Sequence, residues 1–255
     1  MPEIVFTSSG TTGSGNSCHY VSDLNLYIKS FLSAFELFYG DPAQYCILAL
    51  LPSYVERGGS SLILMADELI RRSDHAESGF CLHDPAELSE KIIGIEDRGQ
   101  KTILLGVTHA LLDFADYSEM KLSNTIVMET GGMKGRRKEL VREELHNILK
   151  NRLGVKSVHS EYGMTELLSQ AYSLGDGIFK CPPWMKVLPR DTNDPLSPAP
   201  YGSTAGINII DLANIHSCSF IATQDLGKVQ EDGSFEILGR FDNSEIRGCN
   251  LLVGI

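Results

Sequence analysis

Among the six cysteines, no two stand at C-x-x-C spacing, and none of the seven histidines pairs with a cysteine or another histidine at metal-ligand spacing. No spacing therefore supports a structural zinc site, and thiols scattered through a chain of this length read as reduced cytosolic cysteines rather than a disulfide framework. No apolar stretch is long enough to span a bilayer; the apolar run from Tyr45 to Pro52 has the length of a buried strand. Met1 to Gly15 lacks a basic start followed by an apolar run, so no signal peptide is expected. Positive charge is scarce: 22 Lys and Arg face 33 Asp and Glu, a formal net charge of −11 that repels a polyphosphate backbone and disfavours general nucleic-acid binding. Internal repeats, low-complexity tracts and a G-x-x-x-x-G-K-[ST] phosphate loop are also missing.

What is present is an ordinary globular composition, 42% hydrophobic and 22% charged, in 255 residues that can bury one large core or two modest ones. Strand and helix signals alternate through the first two-thirds. Ile4 to Thr7 reads as a strand that ends in a Ser/Thr/Gly loop. Ser22 is a plausible cap for a helix through Tyr39, with Leu24, Ile28, Phe31, Phe35 and Phe38 at helical spacing and Gly40 ending it. A continuous apolar strand over Cys46 to Leu51 precedes a helix over Ser61 to Arg72. A helix over Pro85 to Asp97, a strand over Thr102 to Val107, a short helix over Ala110 to Tyr117 and a strand over Thr125 to Glu129 follow. Gly131-Gly132 breaks that strand, and a long helix over Arg136 to Leu153 carries Leu140, Val141, Leu145, Ile148 and Leu149. This alternation predicts an α/β fold, a mostly parallel sheet covered by helices. After Gly175 prolines cluster, and short strands follow over Gly206 to Asp211, Ser219 to Thr223 and Phe235 to Gly239, with a turn at Asp232-Gly233. The expected organisation is a nucleotide-binding α/β core over residues 1–175 and a C-terminal β-rich subdomain over 176–255 that completes a cleft.

Four stretches carry chemistry. Thr7-Ser8-Ser9-Gly10-Thr11-Thr12-Gly13 offers small residues, hydroxyls and free backbone N–H groups after a strand, the means of holding phosphate oxygens; on composition alone a flexible loop is an equal reading. Ser160-Glu161-Tyr162-Gly163-Met164-Thr165-Glu166 offers two carboxylates, a ring and a hydroxyl at a strand–helix junction, where open α/β sheets gather ligands, and Glu166 can ligate magnesium. Asp225 can accept hydrogen bonds from both ribose hydroxyls, and Arg240 in Gly239-Arg240-Phe241-Asp242 can pair with a phosphate or fix a hinge. Taken singly, the last three read as polar turns. His109, after the strand ending at Val107, can line a pocket, although a satisfied polar residue is the commoner case. Lys134-Gly135-Arg136-Arg137-Lys138 places four cations at a helix start, either facing an anion or solvated and balanced by Glu139, Glu143 and Glu144.

In this order, the T-S-x-G-T-T-G loop, the Y-G-x-T-E loop, the late Asp and the G-R-x-D turn resemble the adenylate-forming enzyme superfamily of acyl-CoA synthetases, luciferases and peptide-synthetase adenylation domains. Glu129-Thr130-Gly131-Gly132-Met133-Lys134-Gly135-Arg136, Cys181-Pro182-Pro183-Trp184 and Gly239 to Cys249 resemble more closely the acyl-protein synthetase (LuxE) branch, related to phenylacetate-CoA ligases. The resemblance covers nearly the whole chain and implies the large N-terminal domain of such enzymes. It implies that Thr7, Ser8, Ser9, Gly10, Thr11, Thr12 and Gly13 cradle the β- and γ-phosphates of ATP. Thr130, Gly131 and Gly132 would lie beside adenine and Tyr162 would stack on it. Thr165 would touch the α-phosphate, Glu166 would hold Mg2+, and Asp225 would bind ribose with Arg240 nearby. The implied activity is ATP-dependent activation of a fatty or aromatic carboxylic acid to an acyl-adenylate, with transfer to a thiol such as Cys249. Transfer to coenzyme A, an acyl-acceptor partner protein, or a degenerate nucleotide- or partner-binding subunit are the alternatives.

Three departures from the pattern set further expectations. Only six residues precede Thr7, where related enzymes carry a substantial segment, so an exposed apolar surface and a homo-oligomer are conceivable. The small C-terminal domain with its catalytic lysine does not follow the G-R-x-D turn, and Ser14-Gly15-Asn16 stands where the family loop often supplies a Lys.

Overall fold

The computed structural model describes residues 1–8, 17–52, 58–81, 84–131 and 140–241. Helix α1, Leu24–Tyr39, begins at Asp23, whose side chain accepts from Leu26 N–H, so the cap lies one residue beyond the expected Ser22. Its Tyr27, Phe31 and Phe35 face the core, and Gly40 ends it. Helix α2 spans Ser61–Ser73, capped by Ser60, and α3 spans Pro85–Asp97, capped by Asp84 with Pro85 in the first turn. Helix α4 spans Thr108–Tyr117, and starts two residues earlier than the apolar spacing indicated.

Helix α5 spans Arg142–Leu153, which corrects the longer helix expected from Arg136. Val141 is extended, with φ −66° and ψ 147°, and stands outside the helix as its cap. Leu140 and Val141 mimic helical spacing without helical backbone. Glu143 and Glu144 occupy the first turn and Lys150 and Arg152 the last, as the helix dipole favours.

Two sheets form. Strands β1 (Ile4–Thr7) and β2 (Cys18–Val21) make an antiparallel hairpin; β2 was not foreseen. The second sheet has eleven strands: β3 (Cys46–Leu50), β4 (Gly79–Phe80), β5 (Thr102–Val107), β6 (Thr125–Thr130), β7 (Val158–Tyr162), β8 (Ala171–Ser173), β9 (Phe179–Lys180), β10 (Met185–Arg190), β11 (Thr204–Asp211), β12 (Phe220–Val229) and β13 (Phe235–Arg240). Their order is β10-β11-β12-β13-β9-β8-β7-β6-β5-β3-β4. From β4 to β7 every pairing is parallel; from β7 onward every pairing is antiparallel. Strands β3 and β5 are buried on both faces, which is why they read as unbroken apolar runs.

One hydrophobic cluster joins α1, α2, α3 and α4 to the parallel strands, and another joins Tyr162, Leu167, Phe179, Val187, Ile207, Val229 and Phe235 on the antiparallel side. The composition change near residue 175 falls in the turn between β8 and β9, inside one continuous sheet. That continuity rests on little: β9 has two residues, and its pairing with β13 consists of the single partner pair Phe235 and Phe179. Among the described residues no helix is long and apolar enough to cross a membrane.

Candidate active site

The parallel register aligns the C-terminal ends of β5, β6 and β7, with Val107 opposite Thr130 and Thr130 opposite Glu161. Ligands gather at such an edge. Gly131, at φ +67°, turns the chain away after β6, a conformation that favours glycine. The Thr108 hydroxyl fixes that turn by donating to the Gly131 carbonyl at 2.7 Å. The Thr130 hydroxyl donates to the Glu161 carboxylate.

Two carboxylates are buried under this edge. Arg142 and His146, on α5, approach Glu129 at 3.5 and 3.7 Å. Burial is the strongest influence on Glu129 and acts upward, yet His146, Arg142 and Ser160 together hold it below the usual carboxylate range. Glu161 lacks such help. Burial pushes it up to about 7, the Thr130 hydrogen bond opposes this, and the charge of Glu129 adds to it.

Across the sheet, β12 delivers Asp225 opposite Arg240 of β13. The Tyr162 hydroxyl donates to Asp225 Oδ2 at 2.7 Å, and Arg240 Nε stands 3.5 Å from Oδ1. The Asp225 backbone N–H donates to the Thr223 hydroxyl, which donates to the Ile207 carbonyl, so the carboxylate rests on a fixed strand. Burial raises the Asp225 pKa; Tyr162 and Arg240 lower it, and Glu166 raises it further, so the two acids sense one another. The Tyr162 ring meets Phe179 and Phe235 edge-on, at 5.9 and 5.5 Å between centroids.

Glu166 lies in the turn after β7. The Ser17 hydroxyl donates to its Oε1 at 2.5 Å, and Asn214 Nδ2 donates to its carbonyl at 2.7 Å. His19 Nε2 meets Asn214 Oδ1 at 3.0 Å, so that nitrogen carries the proton. Next in the chain, Leu168 N–H and the Ser169 hydroxyl donate to the fully buried Asp211 at 2.8 and 2.5 Å. The base of the Ser/Thr/Gly loop is closed by Ser8 N–H to the Ser17 carbonyl and Ser17 N–H to the Ser8 hydroxyl, both 2.9 Å. Thr7 N–H donates to the Gly59 carbonyl at 2.9 Å.

Thr7 and Ser8 therefore stand at one end of a segment whose other end touches Glu166, and Tyr162 meets Asp225 and, through it, Arg240. Thr130 and Gly131 sit beside Glu161 on the neighbouring strand, and Thr165 is half-buried in the Glu166 turn. Ser9, Gly10, Thr11, Thr12, Gly13, Gly132, Cys249 and the basic segment 134–138 lie outside the described residues. His109 is buried. Ser17, His19, Thr108, Asp211 and Asn214 were missed, and Glu161 was read only as the second carboxylate of the stretch ending at Glu166. Only the alternating burial of Cys18, His19, Tyr20 and Val21 had a local signal, a period-two polar pattern.

The donor set fits a magnesium ion shared with substrate phosphates. Among the described residues no three His, Cys, Asp or Glu gather as a protein cage, and Glu166 offers one hard, half-buried carboxylate. Magnesium is commonly held by one or two carboxylates, with phosphates and water completing the shell.

A scan against protein-family models and a search of curated proteins return no match. Solved structures do match. ATP-bound MatB from Rhodopseudomonas palustris superposes with a TM-score of 0.67 at 20% identity, covering 92% of this chain and 47% of that one. The o-succinylbenzoate coenzyme A synthetase MenE from Bacillus subtilis, in complex with ATP and magnesium ion, gives 0.62 at 18% identity, covering 92% and 49%. The amide bond synthetase McbA from Marinactinospora thermotolerans gives 0.60 at 17% identity, covering 92% and 48%. The chain thus spans about half the length of the structures it matches, and shares the α/β fold of that part of them.

Proposed function

We propose that this chain activates a carboxylic acid with ATP, forming an acyl-adenylate and releasing pyrophosphate. The observation that carries the reading is the Ser17–Glu166 hydrogen bond at 2.5 Å, which brings the base of the hydroxyl-rich loop to a metal-competent carboxylate across 149 residues of sequence. Tyr162 and Asp225 supply a second anchored pair beside it.

In this reading the loop from Thr7 to Gly13 donates N–H and hydroxyl groups to the β- and γ-phosphates. Thr130, Gly131 and Gly132 border the adenine, and the Tyr162 ring packs against it. Asp225, its carboxylate held by Tyr162 and Arg240, accepts from the ribose hydroxyls. Thr165 donates to the α-phosphate, and Glu166 holds magnesium. When bound there, magnesium supplies charge neutralisation for the phosphates. The substrate carboxylate is already ionised, so no general base is required: its oxygen bonds to the α-phosphorus as the bond to pyrophosphate breaks. The protein's share is to align two anions and to stabilise the charge that builds up.

The acyl group then passes to a thiol, in the manner of an acyl-protein synthetase. Burial raises the pKa of Cys46 and Cys81 and pushes Cys181 up to about 12, which leaves these three thiols poor nucleophiles, while Cys18 and Cys218 are exposed; in this reading the acceptor is Cys249 or an external thiol. Coenzyme A is the second reading, favoured by the likeness to a structure described as a coenzyme A synthetase. Carboxylate-dependent exchange of labelled pyrophosphate into ATP over a panel of acids tests the activation step. Intact-mass detection of acylated Cys249, lost in Cys249→Ser, separates the acceptors. No nucleotide binding at all removes the enzyme reading.

A further inference from the structure

Trp184, the only tryptophan of the chain, closes the Cys181-Pro182-Pro183-Trp184 stretch, which the proposed chemistry leaves without a task. It stands between β9 and β10, half-buried against the core of the parallel side. Both of its polar groups lead to Asp211. Its carbonyl accepts from Leu212 N–H at 2.9 Å, and its indole N–H donates to the Ser30 hydroxyl of α1 at 3.0 Å. Ser30 meets the Ser169 hydroxyl at 3.2 Å, and Ser169 donates to Asp211 at 2.5 Å. Asp211 directly precedes Leu212, so these contacts close a ring that leaves Trp184 by its side chain and returns by its backbone.

Every proton in this ring has one direction. An indole N–H only donates, so the Ser30 oxygen accepts from it. Ser169 spends its one proton on Asp211 and can only accept from Ser30. Ser30, Ser169 and Asp211 are 6%, 0% and 0% exposed, so a broken link leaves a buried polar group unpaired. The ring bears on the turn that carries Glu166. Asp211 also accepts from Leu168 N–H at 2.8 Å, and Asn214, in the short 3-10 turn Leu212–Asn214, donates to the Glu166 carbonyl at 2.7 Å. Glu166 and the residues just after it are therefore gripped by one segment, and Trp184 holds that segment through backbone and indole together. Filling the core needs only the aromatic ring; the N–H adds the link.

We propose that Trp184 is a positioning residue for Glu166: acting through Ser30, Ser169 and Asp211, its indole N–H fixes the turn over residues 164–169 and with it the carboxylate offered to magnesium. This rests on the acid-activating function proposed above and names a residue, remote from the nucleotide, that sets the metal affinity of its site. The other nucleotide contacts of that reading, along the hydroxyl-rich loop and at Asp225, do not pass through the ring. Loss of the ring is therefore felt by ATP with magnesium and not by ATP alone.

Trp184→Phe keeps an aromatic ring and removes the N–H, and Ser30→Ala breaks the next link with a smaller change in volume. Both are made in the full chain and checked for a cooperative thermal transition; if Trp184→Phe fails to fold, Ser30→Ala decides. Amide hydrogen exchange over residues 164–169 reads the turn directly and is expected to quicken about tenfold in each variant while β5 is unchanged. Calorimetry is expected to show affinity for ATP with magnesium falling about fivefold in each, and affinity for ATP in EDTA holding within about twofold. The double variant is expected to lose no more than the worse single one, as links of one chain behave. Unchanged exchange in the turn overturns the inference, as does an unchanged affinity for ATP with magnesium. An equal loss with and without magnesium also overturns it, because lost packing alone gives that result, and so do additive losses in the double variant. If the wild-type chain binds no nucleotide, the activating function falls and exchange decides alone: quickening confined to the turn sustains Trp184 as its support, and none sinks it.

Discussion

The hydroxyl of Tyr162 donates to Asp225 at 2.7 Å, joining the last parallel strand to a strand of the antiparallel side across 63 residues. The pair is a hydrogen bond between a neutral donor and a buried acid, so its strength depends on the acid's charge. Burial is the main cause of the raised Asp225 pKa and Tyr162 opposes it, so Tyr162→Phe raises that pKa further. A raised folded-state pKa contributes stability at acid pH that is lost as pH rises through it. The penalty of Tyr162→Phe is therefore expected to grow from acid to neutral pH, reaching about 1–3 kcal/mol. Urea denaturation across that range checks this, and a pH-independent penalty refutes the coupling.

Glu161 makes the stability of the wild-type chain itself pH-dependent. With its folded pKa near 7 against an ordinary 4.5, its contribution is fully present below about pH 4.5 and lost as pH rises through about 7. Glu161→Gln cannot ionise. Relative to wild type it is expected to gain on the order of 3 kcal/mol between pH 4.5 and pH 8. Chemical denaturation at the two pH values gives the difference, and a flat difference shows that folding does not raise the Glu161 pKa.

Asp211 is the anchor of the Glu166 turn. It accepts from Leu168 N–H, the Ser169 hydroxyl and Ala213 N–H, with no exposure to solvent. Asp211→Ala strands three buried donors and is expected to cost about 3 kcal/mol or more in unfolding free energy. A loss under about 1 kcal/mol shows that the turn is held elsewhere.

Ser17→Ala removes the hydroxyl from Glu166 without touching the core. A charge-assisted, part-buried hydrogen bond is worth about 1.5 kcal/mol, so magnesium-ATP affinity measured by calorimetry is expected to fall about tenfold. Thermal stability stays close to wild type, and Ser17→Thr restores binding. An unchanged affinity separates the loop from Glu166 in function.

Much of the scaffold was legible because single residues punctuate it. Asp84 and Pro85 mark the start of α3, Gly40 marks the end of α1, and the apolar run Thr102 to Val107 is a strand buried on both faces. The start of α5 was misread because Leu140 and Val141 carry the right spacing, and periodicity does not distinguish a helix from the extended lead-in that packs beside it. Within the candidate site, order along the chain singled out Tyr162, Glu166 and Asp225. Their supports were illegible. Ser17, Asn214 and Asp211 are ordinary polar letters until the fold buries them, and whether Glu129 or Glu161 finds a cation is decided by α5, which approaches only one of them.

The two-residue strand β9 is the isthmus of the large sheet. Eleven strands share one ladder, yet a single partner pair carries it from Phe179 to Phe235. A narrow ladder holds two groups of strands less firmly than a wide one, so the cluster of Tyr162, Phe179, Val187, Ile207, Val229 and Phe235 that spans the junction carries much of its cohesion. The spacing between Tyr162 and Asp225 is then governed less by backbone than by what lies between the halves: the rings of Phe179 and Phe235, and Arg142, which stacks over Phe179 while donating to the Ile237 carbonyl. That guanidinium ties α5 to β13 on the far side of the junction, clamping the sheet where its backbone ladder is thinnest.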